Sequence, residues 1–265
     1  HLILATPDNG VAAAMYAACK ATVKVGDGNE ISLHEQTNYP FEETIRFTVN
    51  TPKAVSFPFY LRIPSWTEGA TIFVNGKKVA ANPEAGQYAC INREWKDNDQ
   101  VEIQLPMQLS MRTWQVNKNS VSVDYGPLTM SLKIDEDYVK KDSRATAIGD
   151  SKWQEGADAS QWPTYEIYAK TPWNYALVLG KNEPLKDFKV VHKEWPADNF
   201  PFTVASTPIE VKAIGRKVPS WVIDQYDLCS ELPEMDAPKG EKEEITLIPM
   251  GVARLRVSAF PNTRE

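Results

Sequence analysis

Carboxylates are the most plentiful side chains here that could do chemistry; Glu42, Glu43, Glu68, Glu94, Glu166, Asp224, Asp227 and Glu231 are among them. Two carboxyls facing each other across ~5–5.5 Å or ~6.5–9.5 Å hydrolyse a glycosidic bond with retention or inversion. Sequence alone does not show such a pairing, and most fall at strand ends or on polar faces, where solvation accounts for them. The histidines His1, His34 and His192 are isolated, without an HExxH or CxxC neighbour, so no zinc site is expected. Cys19, Cys90 and Cys229 are far apart and odd in number. They form neither a disulfide framework nor a metal pair and read as three buried thiols acting as small hydrophobes. Glycine-rich phosphate loops, GxGxxG and GxSxG are all absent. The aromatic residues say more. Trp153, Trp162, Trp173 and Trp195 sit in polar or proline-rich surroundings, where an indole face could stack on the C–H face of a sugar ring. Trp153, Trp162 and Trp173 are the candidate carbohydrate-binding residues. Trp66, Trp95 and Trp221 read as core plugs.

The elements that would position these residues alternate with period two. Ile45, Phe47 and Val49 alternate with Thr44, Arg46 and Thr48; Phe57, Phe59, Leu61 and Ile63 with Pro58, Tyr60 and Arg62. Val101, Ile103 and Leu105, then Leu128, Met130, Leu132 and Ile134, then Ala253, Leu255 and Val257 repeat the pattern. Each run is a strand with one buried and one wetter face. Asn75-Gly76 between Ile72–Val74 and Lys77–Val79 is a strong hairpin signal, because both residues tolerate positive φ. Nineteen scattered prolines disfavour long helices. Residues 11–22, rich in alanine, fit helix and strand equally by propensity.

The fold class is therefore all-β: two antiparallel β-sandwiches of jelly-roll or Ig-like type, with no α/α barrel. The first is expected over 1–109 and the second over 110–265, with long loops near 135–161 and 232–244 read as solvated excursions. The net charge of −6 argues against nucleic-acid binding. No apolar run approaches the ~20 residues of a membrane span. The chain opens at His1 without methionine or a basic leader, and is expected to be part of a longer protein.

Several segments, taken in order, resemble a known family. They are Asp8-Asn9-Gly10-Val11 with Tyr16-Ala17, Thr37-Asn38-Tyr39-Pro40-Phe41, Leu61-Arg62-Ile63-Pro64-Ser65-Trp66 and Val74-Asn75-Gly76-Lys77. Arg93-Glu94-Trp95, Leu105-Pro106-Met107, Tyr125-Gly126-Pro127-Leu128, Pro172-Trp173-Asn174-Tyr175-Ala176-Leu177 and Leu247-Ile248-Pro249-Met250-Gly251 complete the series. The chain resembles the C-terminal portion of glycoside hydrolase family 127, which holds bacterial β-L-arabinofuranosidases. The resemblance implies an α/α-barrel catalytic domain upstream that carries a glutamate, a nucleophilic cysteine and a zinc, none with a counterpart in these residues. It implies no catalytic residue, metal or cofactor in this chain, and turns residues 11–22 towards a strand and a loop. It implies a non-catalytic accessory module that supports the barrel, with homodimerisation or a wall of the substrate cleft as further roles. Its parent would be periplasmic or secreted and act on plant-type arabinose-containing glycans. The alternative is an independent carbohydrate-binding module.

Overall fold

The computed structural model describes residues 2–80, 83–143, 156, 158–225 and 228–265. Among them there is no α-helix, only two single-turn 3₁₀ helices, and the chain is built of β-sheets. It divides into two compact bodies: His1–Ser110 with Asp124–Leu128, and Met111–Val123 with Thr129–Glu265.

The first body is a sandwich. One sheet has the order β1 (Ile3–Ala5), β2 (Val11–Ala13), β6 (Val55–Arg62), β9 (Tyr88–Trp95). The other has the order β3 (Cys19–Val25), β4 (Asn29–Thr37), β5 (Thr44–Asn50), β10 (Asp99–Gln104), β7 (Thr71–Val74), β8 (Lys77–Lys78). Pairing is antiparallel throughout except between β2 and β6. The inward sets expected from alternation on β5, β6 and β10 are fully buried. Phe47 from one sheet meets Phe59 from the other edge-on at 5.3 Å, and Trp95 packs 5.7 Å from Phe57 and 6.0 Å from Phe59. The Trp95 indole N–H donates to the Phe57 carbonyl at 3.0 Å, which satisfies its one polar atom inside the core. Trp66 packs half-buried against the same core.

Residues 11–22 resolve into β2, an irregular turn and the start of β3, as the family resemblance implied; pairing overrides the alanine propensity. The Asn75-Gly76 turn has φ of 49° and 75°, the left-handed pair that a type I′ hairpin requires. Gly126 is also left-handed at φ 54°, and a β-carbon there would sit 2.6 Å from Met107 Cγ.

The second body is carried by an eight-stranded sheet. Its order is β11 (Leu109–Trp114), β12 (Ser120–Tyr125), β13 (Leu128–Leu132), β19 (Lys242–Pro249), β18 (Ile209–Lys217), β16 (Tyr175–Leu179), β20 (Asn262–Arg264), with β17 (Lys189–His192) also on β18. A separate two-stranded ribbon pairs β14 (Glu136–Lys141) with β15 (Thr164–Ala169).

Two expectations change here. The segment expected as a solvated excursion from 135 supplies β14, because Tyr138, Lys140 and their neighbours find a partner in β15. The alternating run Ala253, Leu255, Val257 is not a strand. Ala253 is buried, but the run meets its neighbours through irregular bonds, such as Leu132 N–H to the Val257 carbonyl at 2.8 Å. Burial every second residue arises from a loop laid on a sheet as readily as from a strand.

Candidate functional site

The second body holds a groove of about 1150 Å³ beside the ribbon. Strand β15 and the residues after it form one side: Glu166, Tyr168 and Lys170, then Trp173. Residues 255–259 border it too, and Ile134 and Leu232 are among its apolar lining.

Asn174 fixes Trp173. Its side-chain amide donates to the Val218 carbonyl at 3.0 Å and to the Trp221 carbonyl at 3.1 Å. This seats the half-buried Trp173 edge-on against Trp221, with ring centroids 5.0 Å apart. Trp221 is buried and its indole N–H donates to the Ser230 carbonyl at 3.1 Å, so it is a fixed support rather than a contact surface. The loop is held by Glu136, whose Oε1 accepts from the Arg254 amide at 3.0 Å and the Leu255 amide at 3.2 Å.

Charge lies around this apolar wall. Tyr168 donates its hydroxyl to Glu166 at 2.5 Å and Lys141 lies 3.0 Å from the same oxygen. Those hydrogen bonds, the tyrosine's first, hold the Glu166 carboxyl below the usual carboxylate range. Lys170 pairs with Asp137 at 3.3 Å, and Arg256 donates its Nε to the Ala253 carbonyl at 2.9 Å. Cys229 also lines the groove, and partial desolvation there pushes its thiol up, away from the thiolate a nucleophile requires. A carboxyl kept ionised serves as an acceptor, whereas a glycosidase acid needs its proton held to higher pH. The arrangement can stack a ring and hydrogen-bond its hydroxyls.

Residues 10–107 match the family model described as β-L-arabinofuranosidase, GH127 middle domain. Over that stretch the first body is similar to a GH127 middle domain. No curated protein matches the chain. Among solved structures, a GH127 β-L-arabinofuranosidase from Geobacillus stearothermophilus T6 is similar at TM-score 0.62 and 21% identity, over 99% of this chain and 35% of that one. A glycoside hydrolase is similar at TM-score 0.61 and 23% identity, over 97% and 36%. A GH127 β-arabinofuranosidase follows at TM-score 0.61 and 19% identity, again over 97% and 36%. The chain thus spans about a third of the length of these structures, and at such identities they show the fold.

The predicted aromatic residues are not brought together. Trp173 follows the Glu136–Ala169 end of the ribbon, whereas the exposed Trp162 precedes the Lys141–Thr164 end. Trp162 is anchored through its carbonyl, which accepts from Ser143 Oγ at 2.6 Å. Trp153 and Asp227 lie outside the described residues. Trp195 is half-buried and donates to Asn199 at 2.7 Å. The expectation of three buried thiols is corrected: Cys90 and Cys229 are exposed and Cys19 is half-buried, because Cys90 points outward on β9 and Cys229 lies in a loop. No group of three or more His, Cys, Asp or Glu among the described residues is placed to hold a metal. No helix among them is long and apolar enough to cross a membrane. Sequence reasoning missed Tyr168, Lys170 and Arg256. The i, i+2 spacing of Glu166 and Tyr168 on one strand was the available signal.

Proposed function

We propose that this chain is a non-catalytic β-sandwich module of a bacterial GH127-type glycosidase, and that the groove beside Trp173 binds a glycan chain. It would support an α/α-barrel catalytic domain in a parent that works in the periplasm or outside the cell on arabinose-containing plant glycans. The carrying observation is the clamped Trp173 with Glu166, Lys170 and Arg256 around it: an apolar face for ring C–H groups bordered by acceptors and donors for hydroxyls. The middle-domain match and the coverage of about a third of full-length glycosidase structures support the modular reading.

Titration with arabino-oligosaccharides, followed by tryptophan fluorescence, tests it. Saturable quenching in the millimolar range is expected, lost in Trp173→Ala and partly kept in Trp173→Phe. An unchanged spectrum at saturating sugar would remove glycan binding from the groove, and turnover of an arabinofuranoside by the isolated chain would remove the non-catalytic reading.

A further inference from the structure

The face of the six-stranded sheet that points away from the first body's own core carries an organised polar surface. Register aligns Gln36 of β4, Arg46 of β5, Glu102 of β10 and Phe73 of β7 in one row across four strands. Thr48 and Gln100 pair in the row on one side, and Thr44, Gln104 and Thr71 align in the row on the other. A depression of about 340 Å³ lies over Arg46, Glu102 and Phe73.

Its polar groups are linked. Arg46 Nε donates to Glu102 Oε2 at 2.8 Å, Gln104 Nε2 donates to Glu102 Oε1 at 2.9 Å, and Thr71 Oγ1 donates to Gln104 Oε1 at 3.3 Å. Each oxygen of Glu102 therefore holds one donor and keeps acceptor capacity, since an ionised carboxylate offers about four lone-pair sites. Arg46 commits its Nε and keeps its terminal nitrogens as donors. Acceptor and donor stand on adjacent strands, roughly 4.8 Å apart in the sheet. Their heads meet at 2.8 Å, close enough for two neighbouring hydroxyls to reach both, one donating to the carboxylate and the next accepting from the guanidinium. Phe73 lies directly across from Glu102, half-exposed, with a Cβ separation of about 4.5–5.5 Å expected for such a pair. It offers a flat apolar surface where a ring turns its C–H face.

The row thus sets an aromatic ring beside a hydrogen-bonded donor–acceptor pair. We infer that this face binds a neutral saccharide through a vicinal diol, with Arg46 and Glu102 reading the hydroxyls and Phe73 the ring. The site lies in the first body, uses no tryptophan and stands independently of the Trp173 groove.

Amide-resolved NMR titration of the whole chain with methyl arabinofuranoside, and with its 2,3-di-O-methyl derivative, is the test. The free diol is expected to shift amides of β5, β7 and β10, and the methylated sugar is not. Glu102→Gln and Phe73→Ala are expected to weaken binding by at least about tenfold, a change of roughly 1.4 kcal/mol. Trp173→Ala is expected to leave this site unchanged, so the two sites fail separately. Glu102→Gln removes only an exposed ion pair, which contributes little to stability, and Phe73→Leu keeps bulk on the strand while removing the ring. Equal shifts from both sugars, undiminished binding by Glu102→Gln, or no shift in these strands would each overturn the inference.

Discussion

At the scale of single residues, the least expected side chain is Glu35. It occupies an inward position of β4 after Ile31 and Leu33 and is 1% exposed. Its carboxyl accepts from the Ala17 amide at 3.0 Å and sits 3.6 Å from the Cys19 thiol. Burial pushes it up to about 7, partly opposed by those two hydrogen bonds. The folded state therefore holds the proton more tightly than the unfolded chain does. The stability so conferred is fully present below the ordinary glutamate range and is lost as pH rises through about 7. Each pH unit between the two values is worth about 1.4 kcal/mol. Glu35→Gln should flatten the loss of stability between the ordinary glutamate value of 4.5 and about 7, as read by denaturation midpoints; an unchanged slope would place the pH dependence elsewhere. Gly126→Ala should cost about 1–2 kcal/mol for its left-handed backbone, with Met107 yielding to the new methyl group, measured by urea unfolding. Ile31, Leu33 and Glu35 share one face of β4, yet nothing local to Glu35 says that the turn after β2 will return to offer it an amide.

At the scale of elements, the strands are unequal. β5 and β10 are paired on both sides and bury their inward residues completely. The β14–β15 ribbon has one partner per strand, and Tyr138, Tyr165 and Tyr168 are exposed on it. Two-stranded ribbons are marginal in isolation, so hydrogen exchange should run fastest at the amides of Glu136–Lys141 and Thr164–Ala169 and slowest in β5 and β10. Saturating glycan in the Trp173 groove should slow exchange in β15 alone of the two sets, since Glu166 and Tyr168 line that groove. The strands were legible where apolar residues alternate beside turn chemistry, as at Ile45, Phe47, Val49 and the Asn75-Gly76 hairpin. They were illegible where both faces are covered by apolar residues: β16 is buried at every position and carries no period to read. The groove was half-legible. Trp173 stood out by its type and proline-rich setting, but Arg256 reaches the same groove from 83 residues away by numbering (256 − 173), a distance only folding closes.

At the scale of the whole molecule, the path of the chain matters more than the count of strands. It leaves the first body after Ser110, returns for Asp124–Leu128, and leaves again. The returning segment is held by Gly126 N–H donating to the Gln108 carbonyl at 3.1 Å and by the burial of Tyr125. Between the two crossings lies the β11–β12 turn, where Val116 is fully exposed and Lys118 and Asn119 take positive φ. Cleavage there should yield two pieces that still co-elute in native buffer, because each piece contributes to both bodies; separation without denaturant would contradict this. A single genetic crossover anywhere in the gene would hand on one body lacking part of itself. Such threading makes the two bodies one unit of inheritance, poorly suited to being shuffled alone among unrelated enzymes.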